Sequence, residues 1–314
     1  MNKHIMDSSV KTHAIDKEAA VLTGFKAATL GDIPLLKEYF NRYPSRSCDF
    51  TLGGVLIWAD YFRYHIAVAA DTLFIAGKSP ESDTWLFYTP RGPHSLEIYR
   101  SMIADFCRSR GIEGRLLLAV ETKEEESGIS SVESPTIDGW REYLYDIDRF
   151  TGFAGKKMEK KRNHLNFFNS HYPEAEIREI GAGDMSELEE FSERFEERHA
   201  GCLLMHYENA ETLRALRNYD AYGFLGVAIR IGGKLVGYSY GERAADAFVV
   251  HAEKGDIEYR GIYQALASAM ARMAKERWPE LRYLNREDDM DFEDLRRSKL
   301  SYHPSLFIEK QVIK

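Results

Sequence analysis

The chain is written twice, and this constrains its fold more than any other feature. "GDIPLLKEYFNRY" (Gly31–Tyr43) and "GDMSELEEFSERF" (Gly183–Phe195) share Gly, Asp, Leu, Glu and Arg at an offset of 152 residues (183 minus 31). Ile/Met and two Tyr/Phe positions exchange like for like. Each segment reads as an Asp-capped amphipathic helix with acids near its start. Each follows a candidate strand, Phe25–Ala28 and Glu176–Ile180. A second pair comes later in the same order: "EIYRSMIADF" from Glu97 and "GIYQALASAM" from Gly261 share Ile-Tyr at an offset of 164 (261 minus 97). A strand is expected before each (Trp85–Thr89; Phe248–Ala252) and after each (Arg115–Val120; Leu281–Asn285). Two matches in one order, with matching surroundings and offsets near half the 314 residues, argue for duplication.

Between these landmarks each half reads as an antiparallel meander. "VAIRIGGKLVGYSYGE" is two alternating strands around Gly232-Gly233, a tight hairpin signal. "YHIAVAADTLFIAG" and "DTWLFYTP" repeat the pattern with weaker turns. Helix, three-strand meander, helix, strand is an α+β order, arranged twice. It resembles the acyltransferase fold known as GNAT, so the expectation is a tandem, duplicated GNAT-like chain of mostly antiparallel sheets flanked by helices. The expected division is 1–150 and 151–314, the second part opening with a basic linker helix.

The formal net charge is -8, yet Lys156–Arg162 carries five bases and one acid. An acidic surface repels polyanions in general, so any such partner must meet a local patch. At 100° per residue, Met158, Lys161, Leu165, Phe168 and Tyr172 fall on one stripe, while Lys156, Lys157, Lys160 and His164 share another face. The cationic face is either a solvated surface or an anion site. No run reaches the roughly 18 apolar residues of a membrane span. The opening "MNKHIMDSSVKTHAIDKEAA" has no apolar signal core, so a cytoplasmic location is expected. Cys48, Cys107 and Cys202 are far apart without a CxxC, which reads as reduced thiols rather than a disulfide framework or zinc site.

In "VVHAEKGDIEYRGIYQAL", strand alternation sets His251 and Glu253 on one side, either as an acid–base pair or as ordinary polar residues of an exposed face. Arg260 and Gly261 open a helix whose free N–H groups favour an anion. An acyl-CoA enzyme usually has Gln/Arg-x-x-Gly-x-Gly/Ala here; this chain has Glu258, Gly261 and Tyr263, which counts against ordinary acetyl-CoA chemistry. Six acids lie between Glu287 and Asp294, but without an EF-hand spacing or a HExxH pair no metal site is expected. Asn285 and Arg286, at a strand end, are better candidates.

"GKKMEKKRNHLNFF", "VVHAEKGDIEYRGIYQAL" and "LNREDDMDFEDLRRSKLSYHP" resemble successive signatures of the C-terminal domain of phosphatidylglycerol lysyltransferases; "SCDFTLGGVLIWADYF" resembles it more loosely. The resemblance implies a tandem GNAT-like fold and transfer of an aminoacyl group from a charged tRNA. Lys156, Lys157, Lys161, Arg162 and Asn163 match the basic motif. His251, Glu253, Lys254, Gly261 and Tyr263 match the strand–helix motif. Asn285, Arg286, Asp288, Lys299, Tyr302 and Pro304 match the last. Three functions stay open: an acyl- or aminoacyltransferase, a CoA-dependent N-acetyltransferase of a small metabolite, and a non-catalytic anion- or protein-binding module. For the first, His251 or Glu253 would be the base, while Lys161, Arg162 or Asn285 would stabilise negative charge. The donor would be an aminoacyl-tRNA, an acyl carrier or acyl-CoA, its anionic group held by Lys156, Lys157, Lys161 and Arg162. A lipid acceptor is not expected, and no feature fixes the oligomeric state.

Overall fold

The computed structural model describes residues 24–78, 82–123, 139–198 and 203–313, the side chains of 123, 198 and 203–206 excepted. The N-terminal stretch and Cys202 read above lie outside them. The first half runs β1 (Lys26–Ala27), α1 (Ile33–Arg42), α2 (Leu52–Leu56), β2 (His65–Ala69), β3 (Thr72–Gly77), β4 (Trp85–Tyr88), α3 (Leu96–Arg110) and β5 (Gly114–Lys123). Then come β6 (Glu142–Asp146), α4 (Ile147–Phe150) and the linker helix α5 (Glu159–His171). The second half is β7 (Glu176–Glu179), α6 (Met185–Arg198), α7 (Leu203–Arg217), α8 (Tyr219–Tyr222), β8 (Leu225–Ile231), β9 (Lys234–Ala244), β10 (Ala247–Gly255), α9 (Ile262–Arg277), β11 (Tyr283–Asn285), α10 (Glu293–Leu300) and β12 (Leu306–Ile313). The order is that of a GNAT-like α+β fold, repeated.

The repeat extends to side-chain detail. Asp32 accepts from the Thr29 N–H at 3.0 Å, and Asp184 from the Gly181 N–H at 2.7 Å, each closing a short turn ahead of its helix. Lys26 pairs with Asp32 and Arg178 with Asp184, so the offset of 152 residues (178 minus 26; 184 minus 32) also relates two ion pairs. The hairpin at Gly232-Gly233 has φ of +59° and +79°, a turn that suits glycine. Ala70-Asp71 makes the matching turn in the first half, with φ of +48° and +53°.

All twelve described strands join one sheet, in the order β1-β2-β3-β4-β5-β12-β6-β11-β10-β9-β8-β7. Two neighbouring pairs are parallel, β4–β5 and β10–β11, and the other pairs are antiparallel. The centre of the sheet is an exchange. β12, from the end of the chain, lies against β5 of the first half, while β6 lies against β11 of the second. Each half therefore closes with a strand from the other.

A buried polar network fastens the exchange. Lys310 on β12 donates to Asp49, Glu142 and Ser47. Glu142 on β6, fully buried, also accepts from the Ser47 hydroxyl (2.5 Å), the Cys48 N–H (2.8 Å) and the Asn285 amide (2.5 Å). A buried carboxylate persists only when its lone pairs are met in this way. The cores follow the same plan. Phe74, Phe87 and Met102 form one cluster in the first half, and Phe168, Phe248 and Met270 form one in the second. A third is shared, joining Leu36, Leu52 and Val55 to Leu188, Phe191 and Tyr238.

Removing the Lys310 ammonium strands two buried carboxylates. Lys310→Met is expected to lower stability by about 3–5 kcal/mol in urea unfolding. A loss below about 1 kcal/mol would show that the network does not fasten the exchanged strands.

Candidate functional site

A cavity of about 740 Å³ opens between the halves, lined by residues from both. One wall is aromatic, with Trp58, Tyr61, Phe62, Tyr64, Tyr88 and Trp140. The facing wall carries Lys161, His251, Glu253, Arg286, Asp288, Lys299 and Tyr302. The splay of β10 from β11 makes room for it. The two strands pair only from Ala247↔Tyr283 to Val249↔Asn285, and β10 then continues alone on that side.

His251 stands where β10 breaks register against β9, between Val250 and Ala252. The strict alternation expected for this strand is interrupted by that bulge, and Val250, His251, Ala252 and Glu253 all reach the cavity. The His251 ring is buried between two carboxylates. Nε2 lies 2.9 Å from Glu242 and Nδ1 2.7 Å from Glu287, so neither nitrogen is left as a free acceptor. Burial works against the charge, but the bonds to Glu242 and Glu287 outweigh it and lift the imidazole to about 9. The first half closes on this ring. The Gly53 N–H donates to Glu242 at 2.7 Å, and a Cβ at Gly53 would come within 2.4 Å of His251 Nε2. Glu287 holds a left-handed φ of +55°, with its N–H bonded to the Asn285 side chain at 2.8 Å.

Beyond the bulge, Arg286 donates to Glu253 at 2.7 Å and lies 4.9 Å from the Tyr302 ring. Lys161 places its ammonium 3.7 Å from the centre of the same ring. Tyr302 is fixed in turn by the Gln264 amide, which donates to its hydroxyl at 2.8 Å. Lys299 donates to the carbonyls of Arg286 (2.6 Å) and Asp288. These surroundings shift the protonation of Lys161, Asp288 and Glu253 toward neutral pH. Burial, then the Arg286 charge, lowers Lys161 to about 8. Burial raises Asp288 to about 7, with Lys299 opposing and Glu287 adding to it. Burial also raises Glu253, against Arg286 and Lys299. It lowers Lys299 and lifts Tyr263, another cavity residue, to about 12.

Several expected residues lie elsewhere. Asn285 is fully buried beneath the cavity, its amide spent on the Arg46 carbonyl (2.8 Å) and Glu142. Lys254 turns to the other face of β10 and donates to Asn209 at 2.6 Å. Gly261 has φ of +92°, and a Cβ there would meet the His164 carbonyl at 2.4 Å, so α5 covers the start of α9. Lys156, Lys157 and Asn163 are exposed on α5 and the turn before it. Arg162 ties down that turn, donating to the carbonyls of Phe153 (2.7 Å) and Gly155 (3.0 Å). Sequence reasoning missed Glu208 and Glu242. It also missed the aromatic wall, although "SCDFTLGGVLIWADYF" supplies Cys48 through Phe62 of it. Cys48, Asp49 and Glu142 cluster closely enough to hold a cation, and the Lys310 ammonium is bonded there to both carboxylates.

The His251 pair of bonds has a pH signature. Its folded value is raised above the ordinary 6.5, so the stabilisation is complete below about 6.5 and lost as pH rises through about 9. Between pH 6 and 9.5 the melting temperature of the native chain is expected to fall relative to His251→Gln. Parallel profiles would contradict the imidazolium.

Comparison with known proteins agrees with this architecture. A family profile described as phosphatidylglycerol lysyltransferase, C-terminal, matches residues 40–314. An uncharacterised protein of Mycoplasmoides gallisepticum is 31% identical over 183 residues, 55% of this chain and 55% of that protein. The chain thus spans about half the length of the curated relative it matches. A conserved protein of unknown function from Bacteroides thetaiotaomicron shares the fold with a TM-score of 0.78 at 24% identity, covering 92% of this chain and 98% of that one. The C-terminal domain of a putative lysylphosphatidylglycerol synthetase from Agrobacterium fabrum gives 0.60 at 14% identity, covering 90% and 91%. Among the described residues no helix is long and apolar enough to cross a membrane. With the family profile covering residues 40–314 and the same fold in a solved domain of that kind, the chain belongs to the family of phosphatidylglycerol lysyltransferase C-terminal domains.

Proposed function

We propose that the protein transfers an acyl or aminoacyl group from an ester donor to an amine or hydroxyl, in the cavity between the halves. The observation that carries this reading is the division of labour within one chamber: a carboxyl poised near neutrality, Asp288, lies in the field of Lys299 and lines the same cavity as Lys161 and Arg286. Groups whose surroundings drive their pKa values together from opposite directions suit proton transfer at neutral pH.

In this mechanism the acceptor's nitrogen or oxygen attacks the ester carbonyl carbon and forms the new bond. Asp288 takes the acceptor's proton. The developing oxyanion is held by the ammonium of Lys161, with Arg286 and Lys299 adding positive field. Collapse breaks the bond to the carrier oxygen, and Asp288 returns the proton to that oxygen. His251, with both nitrogens committed, fixes Glu242 and Glu287 rather than acting as base. Asn285 holds the Glu287 turn from below.

For the donor we favour a charged tRNA over acyl-CoA. Lys161 points into the cavity while Lys156 and Lys157 face solvent on the same segment. A polyanionic carrier lying along that face would present its ester end to the chamber. In a CoA enzyme the pyrophosphate would need the N-terminus of α9, where α5 crosses Gly261.

With a mixture of tRNAs bearing labelled amino acids, label is expected to move to a non-RNA product. The rate should rise with pH through about 7 as Asp288 ionises and fall above about 8 as Lys161 loses its proton. Asp288→Asn should slow kcat by roughly 10²–10⁴-fold and Lys161→Met by roughly 10²-fold, with melting temperatures little changed. A rate unaffected by both variants would remove the mechanism. Acetyl-CoA, titrated calorimetrically, should give no measurable heat; micromolar binding would restore the acetyltransferase reading.

A further inference from the structure

Three lysines line the chamber, and two of them have no lone pair to offer. The Lys299 ammonium donates to the carbonyls of Arg286 at 2.6 Å and of Asp288. Lys310 donates to Ser47 at 2.8 Å, to Asp49 and to Glu142. Lys161 is different. Among the described residues it makes no hydrogen bond or ion pair, and its contact is the face of the Tyr302 ring, 3.7 Å from the ring centre. Cys48, the thiol of the same cavity, is held protonated by its burial.

The neighbours leave the Lys161 amine uncompensated. On its own segment stand the exposed Lys156, Lys157 and Lys160. Arg286, next to the end of β11, acts on it directly with a second positive charge. The Glu253 carboxylate of β10 is spent on Arg286 at 2.7 Å. Asp288 and Lys299 answer each other, as do His251 and Glu287. Glu208 on α7 has no partner among the described residues, but the charges it feels are Lys254, Glu287 and Lys299. From α9 come Tyr263 and Gln264, the latter bound to the Tyr302 hydroxyl at 2.8 Å. The Tyr302 ring favours the ammonium. Loss of water and then the Arg286 charge disfavour it, and the amine comes to about 8. A lysine in a dehydrated pocket beside another cation is an activated nucleophile. At pH 7.5 about a quarter of it is neutral, against roughly 0.1% of an ordinary lysine.

We propose that Lys161 is a self-acylation site, its neutral amine taking an acyl group from an activated ester that enters the chamber. Nζ attacks the carbonyl carbon and the C–N bond forms. The C–O bond breaks, and the proton shed by Nζ ends on the departing oxygen. The product is an uncharged amide beside the Tyr302 ring. The assignment goes beyond the transfer reading and rests on it only for its consequence: an acylated Lys161 no longer holds an oxyanion, so the modification silences transfer. It is tested by exposing the full chain to less than one equivalent of p-nitrophenyl acetate at pH 7.5 and mapping acetyl-lysine by peptide mass spectrometry. Lys161 should be acetylated about tenfold or more faster than the exposed Lys156, Lys157 and Lys160, its neutral fraction outweighing the lower reactivity of a weaker base. Its rate should rise with pH and level off above about 8. Acetylation of Lys161 no faster than of those neighbours, or a rate that climbs through pH 10 without levelling, would overturn the proposal. Selective acetylation in a chain that transfers nothing from charged tRNA would sink the transfer reading and leave this one standing; transfer by a chain whose Lys161 shows no preference would do the reverse.

Discussion

Everything about the site depends on the way Lys310 is held. The ammonium belongs to the last strand, and its carboxylate partners belong to the loop before α2 and to β6. These pieces come from the middle and both ends of the chain. Because each half lends the other its closing strand, the described strands run as one unbroken sheet across the seam, and the cavity is lined from both halves. The network also holds Ser47 and Cys48, just ahead of α2, whose Gly53 leaves no room for a side chain against His251. Charge buried at this depth is rarely the most stabilising choice available. What it fixes here is relative placement, since its ligands sit on elements that ordinary packing would let slide.

From that seam the chamber is organised by pairing. His251 takes two carboxylates, Arg286 one, and Tyr302 gathers two cations around its ring. Each of these groups is already oriented before a ligand arrives, which lowers the reorganisation that a reaction would otherwise require. The strained left-handed φ of Glu287 belongs to the same arrangement, held by Asn285 and by the Tyr143 N–H that donates to its carbonyl at 3.2 Å. Such strain persists where surrounding contacts over-determine it.

Much of this was legible in the sequence. The repeated Gly-Asp helix starts, the two Ile-Tyr helices and the Gly232-Gly233 hairpin are local signals, and local signals survive translation into structure. Lys161 was legible too, as a lysine standing in an apolar stripe. The strand exchange was not, because pairing of β12 with β5 depends on contacts almost 200 residues apart that leave no periodic trace. The bulge at His251 broke an alternation that the residues themselves obey. Asn285 looked like a cleft residue at a strand end, yet its burial is decided by a loop from the other half. Glu208 sits in an ordinary helical run, and only the cavity reveals that its carboxyl lacks a partner.

The central claim is that the chamber between the halves handles an ester-linked group on a polyanionic carrier. Mass spectrometry of the protein purified under native, low-salt conditions tests it most directly. The account predicts a retained RNA bearing a base-labile aminoacyl mass, released as salt is raised. Retention of CoA or one of its thioesters instead would contradict it.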